Sequence, residues 1–117
     1  FDVRVIVNPV LRLLGEARVT FPEGCLSVSG FVALVPRALE VEVTGTDAHG
    51  VPQRWQVRGW PARILQHEVD HIDGVLYVDR MWPRTLATGD AGRLLYAGRT
   101  CAELEALAAA APGGPAT

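Results

Sequence analysis

Apolar and polar residues alternate strictly over Leu39-Glu40-Val41-Glu42-Val43-Thr44, which predicts a strand with one buried and one wet face. Asp47-Ala48-His49-Gly50 follows as a hairpin turn, and Gln53-Arg54-Trp55-Gln56-Val57-Arg58 alternates back. Looser β-prone stretches come earlier, over residues 3–7, 18–21 and 31–35. Breaks are expected at Asn8-Pro9, Gly15-Glu16, Gly30 and Pro36-Arg37. From Gly59 the period changes to that of one helix with clear ends. Pro61 suits a first helical turn, where its missing N–H goes unused. Gly74 suits the left-handed residue just past the end. Beyond it, Val75-Leu76-Tyr77-Val78 reads as a short strand, residues 83–92 as loop, and residues 101–111 as an Ala/Leu/Glu helix. Pro112-Gly113-Gly114-Pro115 reads as a frayed tail. The expected architecture is α+β, with antiparallel strands packed around one central helix. Residues 1–100 form the main domain of this reading, and residues 101–117 an Ala-rich helix and flexible tail.

The central helix carries His67-Glu68-Val69-Asp70-His71, an H-E-x-x-H pattern. Residues four apart lie on one helical face, so His67 and His71 can aim two imidazoles at one metal ion. At about 100° per residue, Glu68 falls on the flank of that face, within reach of a water there. Trp60, Ile64, Leu65, Val69 and Ile72 share or border the same side, and Arg63, Gln66, Asp70 and Asp73 fall on the other. The histidines are therefore expected on the buried, apolar face. Burial asks for a partner for each of them, which a metal ion provides; two core histidines held by carbonyls are the alternative.

Composition narrows the classes. The chain has 117 residues, 49% of them apolar, enough for one small domain with a real core. Its net charge of −2 is spread without a basic stripe, which excludes ordinary nucleic-acid binding. No apolar run approaches the ~20 residues of a membrane span. The two cysteines, Cys25 and Cys101, are expected as free thiols.

A third ligand is needed to specify the chemistry. The extended zinc-protease pattern places a histidine six residues after the second one, where this chain has Tyr77, although Gly74 stands at its expected offset. His49 sits at the tip of the hairpin, a place for a solvated side chain. Cys25 is the better candidate. It lies in a turn after a β-prone segment, and Gly24 lets the backbone approach something closely. A thiolate with two imidazoles leaves a fourth position open, as catalytic metal sites do, and suits ferrous iron, cobalt or zinc. The other reading of Cys25 is a small buried hydrophobe, and Cys101 reads as simple packing.

Glu23-Gly24-Cys25-Leu26-Ser27 and Gln66-His67-Glu68-Val69-Asp70-His71 resemble the second and third motifs of the peptide deformylase family. The resemblance runs from about Val5 to about Thr85. It includes Phe21-Pro22, Leu34-Val35-Pro36-Arg37, Gly59-Trp60, Ala62-Arg63-Ile64 and the stretch from Asp73-Gly74 through Leu76-Tyr77-Val78-Asp79-Arg80-Met81. The wording is most similar to the organellar, mitochondrial-type branch. The resemblance implies a hydrolase that removes the formyl group from the N-terminal formyl-methionine of newly made proteins. Cys25, His67 and His71 would hold one divalent ion, natively Fe2+, with Zn2+, Co2+ or Ni2+ as substitutes. Glu68 would take a proton from water and return it to the leaving amine. The Leu26 N–H would donate to the oxyanion. Gly24, Phe21, Trp60 and Ile64 would bind substrate, with plain core packing as the other reading of the three large ones. Asp70 and Asp73 would orient ligands or simply face solvent. The implied home is a mitochondrial or other organellar matrix, or alternatively a bacterial cytoplasm.

The family's first motif, Gly-x-Gly-Leu-Ala-x-x-Gln, has no counterpart here, and its place would precede Phe1. Its Gln supplies a second oxyanion donor, and loss of one such donor costs about 10²–10³ in rate. The expectation is thus of a C-terminal part of a longer enzyme, with residues 1–100 as a catalytic domain incomplete at its N-terminus. The alternative is a metal-bound module that holds methionine N-termini without cutting them.

Overall fold

The computed structural model describes residues 5–110. The elements are β1 (Val7–Cys25), β2 (Val28–Thr46), β3 (Pro52–Arg58), α1 (Trp60–Ile72), a 3-10 turn (Tyr77–Asp79), β4 (Ala87–Thr88), α2 (Gly89–Tyr96) and α3 (Cys101–Ala110). β1, β2 and β3 are neighbours in that order, and β4 pairs with β2. β2 and β3 run antiparallel from Glu40 opposite Arg58 to Thr46 opposite Pro52, and β4 sets Ala87 opposite Val32. The fold is the expected α+β arrangement, but its strands are longer than expected. β1 runs unbroken through Asn8-Pro9 and Gly15-Glu16, because Asn8 (φ 52°) and Gly15 (φ 67°) turn the backbone within the strand. Residues 5 and 6 precede it, and residues 3 and 4 lie outside the described residues. β2 likewise runs through Gly30 and Pro36.

Two compact units divide the chain. The first comprises residues 5–17 and 38–73. Its core joins Ala38 and Val41 of β2 to Ala62 of α1, with Leu11 and Val57 packed against them. The expected alternation of β2 fails at Glu42, which is buried beside Val41 and Val43. Its carboxylate is kept there by Arg12 at 3.5 Å and by a 3.5 Å hydrogen bond from Gln56 Nε2.

Helix α1 begins and ends as expected. Gly59 (φ 77°) precedes it, Pro61 stands in its first turn, and Gly74 (φ 77°) follows it. Val69 is buried and Asp73 exposed, as expected, but most of the helix is turned the other way. Arg63 and Gln66 are 5% exposed and Asp70 8%, whereas Trp60 is 58%, Ile64 49% and Ile72 67% exposed. Gln66 shows how a polar side chain earns an interior place. Its Oε1 accepts from Ala38 N at 2.9 Å, and its Nε2 donates to Ala38 O at 2.9 Å and Ala62 O at 3.0 Å. The carboxamide thus acts as one more strand residue beside β2. Among the described residues no buried side-chain nitrogen or oxygen lacks a partner, so hydrogen bonds offset the desolvation cost that normally keeps a polar face outside.

The second unit comprises residues 18–37 and 74–110. Leu34, Tyr96, Leu104 and Ala108 form one core cluster, with Phe21, Val32, Trp82 and Ala87 against it. The strand expected over residues 75–78 is instead extended backbone leading into the 3-10 turn, where the Asp79 carboxylate accepts from Leu76 N at 2.9 Å. Residues 83–92, expected as loop, contain β4 and the start of α2. Thr88 Oγ1 caps α2 by accepting from Ala91 N at 3.2 Å. Gly92, a poor helix former, is required because a Cβ there would collide with Val32. α3 forms as expected, and the tail from Pro112 lies outside the described residues. Among the described residues no helix is long and apolar enough to cross a membrane.

Candidate metal centre

One turn of α1 separates His67 from His71, and their rings face each other. Nε2 stands 3.1 Å from Nε2, with ring centroids 4.9 Å apart and planes at 59°. Helical phase at about 100° per residue puts Trp60, Ile64, His67 and His71 within about 60° of one another. Glu68 lies about 40° beyond Ile64 on the same projection. So the histidines do share a face with apolar residues, as expected, but that face is open. Both histidines are half-buried and Glu68 is exposed. Asp70 is buried rather than solvated, and Asp73 is exposed.

Cys25 closes β1, just before the two-residue turn into β2. It is half-buried against the cluster of Ala33, Val35 and Tyr77. Two residues earlier, buried Glu23 receives a two-pronged bond from buried Arg37: Nε to Oε2 and Nη2 to Oε1, each 2.9 Å. The planar guanidinium and carboxylate match each other in this geometry, which fixes orientation as well as distance. The Tyr77 hydroxyl donates to Phe31 O at 3.1 Å. Burial raises its pKa above that of an ordinary phenol, and negative charge at Cys25 and Glu23 adds to the rise. Gly24, Cys25, Leu26 and Phe31 line an open groove of about 420 Å³, and Leu26 is 97% exposed. A Cβ on Gly24 would stand 3.2 Å from Phe31 O, so the strands approach closely there. Phe21, by contrast, packs on the core cluster around Leu34.

Cys25 belongs to the second unit and His67 and His71 to the first; a thiolate and two imidazoles are donor types that suit one divalent ion. Tetrahedral bonds of about 2.0–2.1 Å to nitrogen and 2.3 Å to sulfur would set the nitrogens about 3.3 Å apart and the sulfur about 3.6 Å from each. The histidine spacing of 3.1 Å fits that set. His49 is exposed in its turn, its backbone N–H donating to Asp47 Oδ1 at 2.8 Å. Cys101, which forms no disulfide, accepts from Thr20 N at 3.4 Å in the second unit.

Two features escaped the sequence reading, the Glu23–Arg37 pair and the inward Gln66. A signal for the second was present. Arg63, Gln66 and Asp70 recur at the helical period as regularly as the apolar residues do.

The polypeptide deformylase family model matches residues 2–86. The chain is 54% identical over 85 residues to the mitochondrial peptide deformylase of Homo sapiens, covering 73% of this chain and 35% of that protein. It is 57% identical over 88 residues to the chloroplastic peptide deformylase 1A of Solanum lycopersicum, covering 75% of this chain and 32% of that one. The crystal structure of a peptide deformylase from Synechococcus elongatus in complex with actinonin superposes with a TM-score of 0.64 at 44% identity, over 69% of this chain and 44% of that chain. This chain therefore spans about a third of the length of the two curated relatives. The family uses a divalent metal ion, and Cys25, His67 and His71 carry donor types that suit one. On the strength of the match over residues 2–86 and of two relatives above 50% identity, the chain belongs to the polypeptide deformylase family.

Proposed function

We propose that this chain carries the metal-holding and proton-transferring part of an enzyme that removes the formyl group from N-terminal formyl-methionine of new polypeptides. The observation that carries this reading is the facing pair of His67 and His71, Nε2 to Nε2 at 3.1 Å, with Glu68 exposed on the same helix. A divalent ion held there, natively Fe2+ and replaceable by Zn2+, Co2+ or Ni2+, would supply Lewis-acid polarisation and a nucleophile at neutral pH.

The remaining roles fall to the chain's own groups. Glu68 accepts a proton from the attacking water and delivers it to the amine nitrogen as the C–N bond breaks, releasing formate and a free N-terminus. The Leu26 N–H, one residue past Cys25, donates to the formyl oxygen as negative charge develops on it. Trp60 and Ile64, apolar and exposed beside His67, provide a surface for the methionine side chain; contiguous exposed apolar surface of this kind marks binding sites. Gly24 allows a substrate backbone to lie along the open groove it lines with Leu26. The high identity to relatives named mitochondrial and chloroplastic supports an organellar matrix as the site of action, with a bacterial cytoplasm as the alternative.

The test is hydrolysis of a formyl-Met peptide by the intact Fe2+-loaded protein, beside Glu68→Gln. The expected outcome is a loss of about 10²–10⁴ in kcat for the variant, with metal content unchanged. Equal rates would remove Glu68 from the mechanism. Tight binding of Met-peptides without hydrolysis by the parent protein would favour a holding module instead.

A further inference from the structure

The open groove of the second unit is lined partly by residues that the proposed chemistry does not use. Leu26, Phe31 and Val32 line it, and Gly89, the first residue of α2, joins them. All four belong to the second unit. Gly89 reaches the groove because β4 pairs with β2, with Thr88 opposite Phe31 and Ala87 opposite Val32. The start of α2 is fixed in this place. Gly92 sits so close to Val32 that a Cβ would collide with it. Tyr96 packs in the cluster around Leu34, and its hydroxyl donates to Thr85 O at 2.7 Å. Yet β4 and α2 lie beyond residues 2–86, the part matched by the family model.

The lining is apolar. Among the described residues that line the groove none is Asp, Glu, Lys or Arg. Leu26 is 97% and Phe31 43% exposed, and large apolar side chains left open around one concavity mark a binding surface. The volume of about 420 Å³ falls within the range of about 300–1,000 Å³ usual for small-ligand sites.

We propose that this groove seats an apolar side chain from one of the two residues that follow the methionine, and that Phe31 and Gly89 set the size it accepts. The inference rests on the deformylase reading above and deepens it. Leu26 lines the groove and also carries the N–H assigned to the formyl oxygen, so the peptide meets the groove at its reacting end. Phe31 supplies the apolar contact. Gly89 keeps the space open: a Cβ there would stand 3.9 Å from Gly30 O with nothing closer, so a longer side chain fits at that position and takes up room in the groove.

The test compares kcat/KM of the intact Fe2+-loaded protein for formyl-Met-Ser-Ser, formyl-Met-Leu-Ser and formyl-Met-Ser-Leu. One leucine peptide should exceed formyl-Met-Ser-Ser about 10-fold, the lower end of what an added apolar group is worth in a pocket, since this groove is open. Phe31→Ala, which keeps the carbonyl that Tyr77 bonds, and Gly89→Leu should each erase most of that preference. Leu104→Ala, which loosens the core cluster, should lower the melting temperature yet keep the preference, which separates selection from general loss of stability. A second readout is the backbone amide NMR spectrum of the Zn2+-loaded protein with the unformylated leucine peptide. The Phe31 and Gly89 amides should shift, and more than with Met-Ser-Ser. Hydrolysis without discrimination between the peptides would overturn the inference and leave the deformylase reading standing. Shifts at Phe31 and Gly89 without hydrolysis would support the groove and overturn the hydrolase reading. Neither hydrolysis nor shifts would overturn both.

Discussion

Helix α3 buries Leu104 and Ala108, one turn apart, and leaves Ala102, Glu103 and Ala106 to solvent. Helix α1 buries Ala62, Arg63, Gln66, Val69 and Asp70, and exposes Trp60, Ile64 and Ile72. The first follows the ordinary rule that a helix is held by its apolar stripe. The second breaks it, and the break coincides with the two histidines. An inverted helix is stable because its inward polar groups are satisfied, Gln66 most visibly by the backbone of Ala38. What it gains is an outward face on which apolar surface, imidazoles and a carboxylate stand together. Where a helix departs from its expected packing, function is the first place to look for the reason.

The contrast between the two helices can be broken by substitution. The largest expected difference lies between the two thiols. Cys25→Ala should abolish retention of a divalent ion through dialysis, whereas Cys101→Ala should leave it at the parent level. Elemental analysis of the dialysed proteins checks this, and equal losses would contradict the ligand assignment. Next come the leucine and isoleucine of the two faces. Leu104→Ala should cost about 2–5 kcal/mol of stability, since it opens a cavity in a packed cluster. Ile64→Ala should cost within about 0.5 kcal/mol, as an exposed position does. Urea melts measure both, and a large cost at Ile64 would mean that α1's outer face is structural.

The smallest effect concerns the start of α3. Glu103 and Thr100 bond reciprocally: Thr100 N donates to Glu103 Oε1 and Glu103 N to Thr100 Oγ1, each at 3.2 Å. The bond from the Thr100 N–H holds the Glu103 carboxyl below the usual carboxylate value, with the Thr100 hydroxyl and then Arg99 adding to the fall. A folded pKa below the unfolded one means that the contribution is present above the unfolded value of about 4.3. It is lost as pH drops through the folded value. Glu103→Gln should therefore show a slightly shallower loss of melting temperature on acidification below about pH 4.3 than the parent chain.

Much of the fold was legible because local rules agreed. Gly59, Pro61 and Gly74 marked both ends of α1, and the Asp47-Ala48-His49-Gly50 turn joined β2 to β3. The losses have identifiable causes. Asn8 and Gly15 take positive φ inside β1, so residues that usually stop a strand only bend it. Gly92 hid α2, because the need for it comes from Val32, a neighbour in space and distant in sequence. The site was legible in part for the same reasons. The H-E-x-x-H spacing is local, and it predicted that His67 and His71 face each other. Which face of α1 was buried depended on Ala38, 28 residues away from Gln66. The Arg37–Glu23 pair spans 14 residues of sequence, and no local pattern announces it.

The central claim is that one sulfur and two ring nitrogens, from Cys25, His67 and His71, share a single ion. X-ray absorption at the zinc edge of the zinc-loaded chain tests it most directly. The account predicts one sulfur neighbour at about 2.3 Å and nitrogen or oxygen neighbours at about 2.0–2.1 Å, with the sulfur lost in Cys25→Ala. A shell of nitrogen and oxygen alone in the parent chain would contradict it.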